Sequence, residues 1–231
     1  PTVIYRETPA MPADGAESYT MPKPCWAIVG LHVEPGAPGS GVEFRSQVGK
    51  SDIHPKYQNE IRQYLPTALQ QGIKGWEVTD LRITLMEGSH HLLHTRSGDF
   101  KLATHMAIMK ALQAGDTTLL EPMLAFRIQG PHQLIGRVTA DIIDMRGQME
   151  PAQIESETFT LCGRVPLATS MDYVIRLSSL SSGRASLSTQ YDGFDPVRTE
   201  LGAVRPYRGI SPLDRAKFIL WWRGAITDAT T

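Results

Sequence analysis

Cysteine is nearly absent. Cys25 and Cys162 are the only two in 231 residues and lie far apart in the chain, which excludes a disulfide scaffold and every CxxC metal or redox motif. An excess of one charge is missing too. The 23 basic and 24 acidic side chains leave a net charge of −1, so no global field draws the chain to nucleic acid or anionic lipid. No apolar run approaches the roughly 20 residues of a membrane span, and no signal-peptide pattern opens the sequence. The expected setting is therefore soluble, reducing and cytoplasmic, with no membrane partner. The signatures GxxxxGK[ST], GxSxG, HExxH and GxGxxG do not occur, so the chain shows no nucleotide cradle, nucleophile elbow or zinc-protease helix of its own. Pro1 stands where a start methionine would, as expected of a fragment or processed piece.

What is present suffices for packed domains: 41% of the residues are hydrophobic and 20% charged, enough to bury a core in one large domain or two small ones. Charge usage changes near residue 121. Of the twelve cations beyond it, eleven are arginine and only Lys217 is lysine. Arginine's planar fork suits phosphate, while a compositional bias explains the count equally well.

Periodicity gives the first part a mixed sheet with two helices. Tyr57, Ile61, Tyr64, Leu65, Ala68 and Leu69 recur at helical spacing after Pro55, with Gly72 closing the run and Pro66 interrupting it. Phe100, Ala103, Ala107, Ile108, Ala111 and Leu112 form a second stripe, for which Asp99 reads as the cap and Gly115 as the end. Trp76–Met86 reads as one strand, and Cys25–Val33 and Val42–Val48 as two more. The second part reads strand (Leu124, Phe126, Ile128), helix from Pro131 to Gly147, strands near 148–155 and 158–165, helix from about Ala168 to Leu180, and a last strand near 184–191. That is βαββαβ, the ferredoxin-like order. A Pro/Gly-punctuated stretch, 192–210, and a short helix from Ser211 to Trp222 follow.

The chemistry on offer is thin. His90, His91 and His94 fall within five residues, with His105 beyond. Imidazoles so close could ligate zinc, but neighbouring side chains on a strand end or loop diverge, and no carboxylate motif accompanies them. A solvated or RNA-contacting loop fits better, and no metal is expected. Met145–Met149 reads as a ligand loop or a glycine-capped helix end, and Ser182–Arg184 as an anion site or a plain turn. The tail from Arg198 to Arg223 carries six cations against two acids, interleaved with Tyr207, Trp221 and Trp222. It either grips RNA or docks its aromatics on the body.

The order of motifs resembles the C-terminal part of elongation factor G and its relatives, the tetracycline-resistance ribosomal protection proteins. YRET at 5–8 is similar to the strand that opens domain IV, and EPGAPGSGVEF at 34–44 to the factor's EPLEPGSGFEF. LMEGSHH at 85–91 looks like its LYDGSYH, DMRGQM at 144–149 like the RGQ turn of domain V, and SSGRAS at 181–186 like its QGRGS. CWAIVGL at 25–31, YQNEI at 57–61, GWEVTD at 75–80 and SPLDRAKFIL at 211–220 resemble the protection proteins in particular. One segment departs from them. Where those proteins carry Tyr-Tyr-Ser-Pro-Val, this chain has His90, His91, Leu92, Leu93 and His94.

The resemblance implies an α+β chain in three parts: a domain IV at 1–120, ribosomal protein S5 domain 2-like with a left-handed βαβ crossover; a ferredoxin-like domain V at 121–197; and a basic C-terminal extension with a helix at 198–231. It implies a monomer that binds the ribosome, at the 16S rRNA decoding site and at the large-subunit GTPase-associated centre. The expected contacts at the domain IV tip are Gly49, Lys50, Ser51 and Asp52 with Ser89, His90, His91, Leu92, Leu93 and His94. Domain V and the tail would add Arg146, Gln148, Arg184, Arg205, Arg208, Arg215 and Lys217. The fragment itself would be no enzyme. GTP and Mg would belong to an upstream domain of a ribosome-stimulated GTPase, whose tip displaces tetracycline or, alternatively, acts in translocation or ribosome rescue.

Overall fold

The computed structural model describes residues 2–21, 25–197 and 203–227, which form two compact units. The first contains residues 6–119 together with 203–227, and the second contains residues 2–5 and 120–197.

The first unit opens with β1 (Arg6–Pro9), β2 (Ala13–Met21), β3 (Cys25–Pro35) and β4 (Val42–Ser46), followed by α1 (Pro55–Ala68), β5 (Glu77–Val78), β6 (Leu81–Ser89) and α2 (Asp99–Gly115). Its main sheet has the order β2-β3-β6-β4, antiparallel except for the parallel β4–β6 pair, whose crossover carries α1. β1 pairs in parallel with β5. Strand alternation sends Ala27, Val29, Leu31 and Val33 inward with Leu81, Ile83 and Leu85, onto the apolar faces of both helices. α2 lies so close to β2 that a Cβ on Gly15 would stand 2.0 Å from the Ala107 carbonyl oxygen. Only glycine permits that approach.

The second unit begins within β7 (Thr117–Pro131) and continues through a 3-10 turn at His132–Leu134, α3 (Ile135–Asp144), β8 (Gln148–Met149), β9 (Gln153–Glu155), β10 (Thr158–Pro166), α4 (Leu167–Ser170), α5 (Tyr173–Ser181) and β11 (Ser186–Pro196). β10 and β11 flank β7, and β8 and β9 lie outside β10. This is the expected ferredoxin-like arrangement. Phe126, Ile128, Val138, Ile142, Phe159, Leu161, Tyr173 and Leu177 fill its core. The chain then returns to the first unit with α6 (Arg215–Trp222).

Several local readings change. Trp76–Met86 is two strands, because Asp80 takes a left-handed φ of +55° and turns the chain from one sheet to the other. Asp99 is the first helical residue of α2. The cap is Gly98 at φ +90°, and the Asp99 carboxylate reaches elsewhere. Gly115 is still helical, and Asp116 at φ +55° ends α2. α3 ends at Asp144, and the left-handed residue that closes it is Arg146 rather than Gly147: Arg146 takes φ +63°, and the Arg146 and Gly147 amides donate to Ile143 and Ile142 in a Schellman closure. The helix expected over Ala168–Leu180 breaks around Met171–Asp172, β11 continues to Pro196, and α6 starts at Arg215. β2 had no periodic signal strong enough to mark it. Arg198, the first cation of the tail, lies outside the described residues.

Candidate functional site

Two loops meet at one end of the first unit, 47–54 ahead of α1 and 89–98 ahead of α2. The first is a tight turn, in which the Asp52 and Ile53 amides both donate to the Gly49 carbonyl. Ile53 is fully buried and plugs the turn onto β6. There a Cβ on Gly88 would fall 1.8 Å from Ile53 Cδ1. Gly88 is thus the seat on which the first loop rests, while Gly49, Lys50, Ser51 and Asp52 remain exposed.

The second loop is braced from within. The His91 amide donates to Thr95 Oγ1 at 2.8 Å, and that hydroxyl donates to the Trp26 carbonyl at 2.7 Å. The Thr95 amide returns to the His91 carbonyl at 3.0 Å. At the loop's end the Asp99 carboxylate accepts from the Arg96 and Trp26 amides at 2.8 and 3.1 Å. Burial pushes that carboxyl above its ordinary pKa, and the amide bonds pull the other way.

The histidines are arranged by these contacts. His90 donates from Nδ1 to the Asp52 carbonyl at 3.1 Å, which links the two loops. Its ring also lies against Tyr57, 5.4 Å between centroids, and Tyr57 stacks on Phe100 at 4.8 Å. His91 accepts the Leu93 amide on Nδ1 at 3.1 Å, with its ring against Trp26 at 5.5 Å and His94 at 4.3 Å. In their neutral forms the two neighbours therefore hold opposite tautomers. His90 keeps a bare Nε2 acceptor, and His91 keeps an Nε2–H donor. Beyond them Leu92 is 90% and Leu93 75% exposed. The tip thus offers an acceptor, a donor and two unsheltered aliphatic side chains on a braced base. Among the described residues, no three His, Cys, Asp or Glu gather in a metal-holding group. His105 stands apart on α2, buried between Tyr64 and Tyr207.

The other expected contacts fall into two groups. Gln148, Arg184, Arg208 and Lys217 are exposed. Lys217 pairs with Asp214 at 3.3 Å, and the Arg208 backbone exchanges two hydrogen bonds with Gln71. Arg146 and Arg205 are half-buried and Arg215 is exposed, and all three are held by partners in the fold. Arg146 grips the buried Glu121 with two bonds of 2.8 Å. Arg205 lies 3.6 Å from the Trp76 ring centroid and donates to the Gly75 carbonyl at 2.6 Å. Arg215 pairs with the buried Glu17 at 2.9 Å and donates to the Ser18 carbonyl. The tail aromatics dock: Phe218 is buried, and Trp221 and Trp222 pack beside it. Trp26, Tyr57, Thr95 and Gly88 hold the tip, a role that neither alternation nor helical spacing assigned to them.

The chain thus pairs a mixed-sheet unit carrying a braced loop tip with a ferredoxin-like unit that follows it in sequence. The family description "Elongation factor G, domain IV" matches residues 1–116, and "Elongation factor G C-terminus" matches residues 118–204. The chain belongs to the elongation factor G family. It is 30% identical over 228 residues to tetracycline resistance protein TetP of Clostridium perfringens, covering 97% of this chain and 35% of that protein. Against TetO of Campylobacter coli it is 30% identical over 222 residues, covering 94% of the chain and 34% of the relative. It therefore spans about a third of the curated relatives it matches. The crystal structure of ttk003000868 from Thermus thermophilus overlays 98% of the chain, and 32% of its own, with a TM-score of 0.77 at 23% identity. Among the described residues no helix is long and apolar enough to cross a membrane.

Proposed function

We propose that this chain is the ribosome-binding C-terminal part of a ribosomal protection GTPase, whose loop tip enters the decoding site of the small subunit and displaces tetracycline. The observation that carries the reading is the pair Leu92 and Leu93, left 90% and 75% exposed on a loop whose base is otherwise fully braced. An aliphatic side chain buried against a partner yields about 1.5–3 kcal/mol. Such a pair is suited to wedging against a nucleobase, while His90, His91 and His94 stack on bases or reach phosphate. The tip works by occupancy and contact, and a drug sharing its volume is expelled. The second unit would face the large-subunit GTPase-associated centre. GTP and Mg would act in an upstream domain of the parent, which works as a monomer.

The test uses the intact parent with GTP and programmed ribosomes carrying labelled tetracycline, with elongation factor G as the baseline. Release well above that baseline is expected, and it should fall to the baseline when residues 90–94 become glycine and serine. Unchanged release in that variant would remove the tip from the mechanism. A second reading is favoured by the tip itself, which has histidine and leucine where the protection proteins carry Tyr-Tyr-Ser-Pro-Val. It is an elongation-factor-like paralogue acting in translocation or ribosome rescue. Ribosome-stimulated GTP hydrolysis without drug release would select it.

A further inference from the structure

The second unit has a groove far from the loop tip in sequence and unrelated to its chemistry. Gln153, Thr160, Gln129 and Ser186 stand in one row across β9, β10, β7 and β11, each in register with the next. Their neighbours Ile128, Phe159 and Leu161 are buried in the core, so strand alternation turns the row to the opposite, open face. The row forms the floor of a cavity of about 540 Å³, within the roughly 300–1,000 Å³ of ligand pockets. Its two banks differ in charge. Glu155 and Glu157 line it on the β9–β10 hairpin, and Arg184 lines it beside β11. Arg184 is steadied by donation from Nε to the Ser181 carbonyl at 3.2 Å.

We propose that this groove binds an extended peptide with a free carboxyl terminus, laid along the row from bank to bank. Arg184 takes the terminal carboxylate, and Glu155 and Glu157 take a lysine or arginine side chain a few residues earlier. The distances agree. Four strands enclose three spacings of about 4.8 Å, some 14 Å in all, which an extended chain crosses in about four residues. The amide side chains of Gln129 and Gln153 both donate and accept, which matches the alternating N–H and C=O of a peptide backbone. A nucleic-acid strand suits the groove less, because two carboxylates against one guanidinium repel its phosphates. A free amino acid is too short to touch both banks. The proposal does not depend on the ribosomal reading.

The probe is the tetrapeptide Lys-Gly-Ser-Gly with fluorescein on its N-terminus and a free carboxyl end, titrated into the full 231-residue chain by anisotropy. NMR of the glutamine side-chain amides locates the contact. Shifts confined to Gln129, Gln153 and Gln133, which also lines the cavity, are expected. Affinity should fall at least tenfold on amidating the peptide terminus, on Arg184→Ala, or on Glu155→Gln with Glu157→Gln. These side chains are exposed, so the variants should keep their fold, which far-UV circular dichroism checks. The proposal is overturned if binding is undetectable at millimolar peptide or ignores these changes. It is also overturned if shifts fall instead on glutamines outside the groove, such as Gln58 or Gln71, or if hexauridine occupies the groove as tightly.

Discussion

At position 105 a histidine sits between two phenols, with Tyr64 Oη 3.2 Å from Nδ1 and Tyr207 Oη 3.4 Å from Nε2. Burial pushes this imidazole down to about 4, and it pushes both tyrosines up to about 12. A histidine in the unfolded chain titrates near 6.5, so between pH 4 and 6.5 the unfolded state binds more protons than the folded one. The stability of the first unit is therefore full above pH 6.5 and should fall by about 3 kcal/mol as pH drops to 4. Urea titrations at pH 7 and pH 4.5 should show the loss, and His105→Gln should flatten it. Glu7 and Asp99, whose carboxyls burial pushes up, tilt stability the other way. They are common to both proteins, so the difference isolates His105. Gly88 gives a second test. Gly88→Ala drives a methyl into Ile53 and should cost about 1–3 kcal/mol in thermal unfolding, most of it recovered when Ile53 becomes valine. Arg146 gives a third, because its backbone is left-handed while its guanidinium neutralises Glu121. Arg146→Ala should cost more than Arg146→Gly by about 1 kcal/mol, since alanine keeps the backbone penalty and glycine removes it. Adding Glu121→Gln to either should restore part of the stability, by removing the stranded charge.

Among the elements, the returning tail is the one whose role the sequence left open. Basic residues interleaved with aromatics read equally well as an RNA grip or as a docked helix, because composition does not say which face is covered. The structure covers the aromatic face and ties down two cations. Arg223 donates to Tyr19 Oη at 2.6 Å, and Arg215 holds Glu17. Lys110 and Arg215 also donate to the Ala16 and Ser18 carbonyls of β2, blunting an edge strand that would otherwise invite another chain. Truncation after Val197 should lower the melting temperature of the first unit by well over 5 °C and expose Tyr64 and His105. Quenching of tyrosine fluorescence by acrylamide would reveal that exposure. Long periodic elements such as α1, α2, β3 and β6 were legible, because their apolar spacing is set by the core they face. β2 was not. It carries Asp14, Glu17, Ser18 and Thr20, and its inward positions are a glycine, a buried glutamate and a tyrosine. Its strand character comes from partners distant in sequence, β3, Lys110 and Arg215, which no local window sees. The breaks at Asp80, Asp116 and Arg146 were missed for a related reason: non-glycine residues adopt left-handed φ only where surrounding contacts enforce it.

On the scale of the whole molecule, the pair of folds was readable from motif order, and His90, His91 and His94 were readable as a loop at a strand end. The bracing was not readable. Trp26, Tyr57 and Thr95 come from three separate segments that only the folded sheet brings together. The division of the chain has a consequence of a different kind. Residues 120–197 interrupt the first unit, whose last described contributions, Phe218 and Ile219, belong to its buried core. During synthesis at about 5–20 residues per second, residues 6–119 emerge first, yet they wait for the whole intervening unit before their final helix exists. The nascent first unit thus spends several seconds with an uncovered apolar cleft where Phe218 will sit. The tip loop, anchored by Asp99 at the start of α2, is assembled beside it. Closure of the first unit's core is in this way linked to synthesis of the segment that carries Phe218. A chain that terminates before that segment carries an open cleft, an exposed apolar surface for chaperones and proteases to recognise.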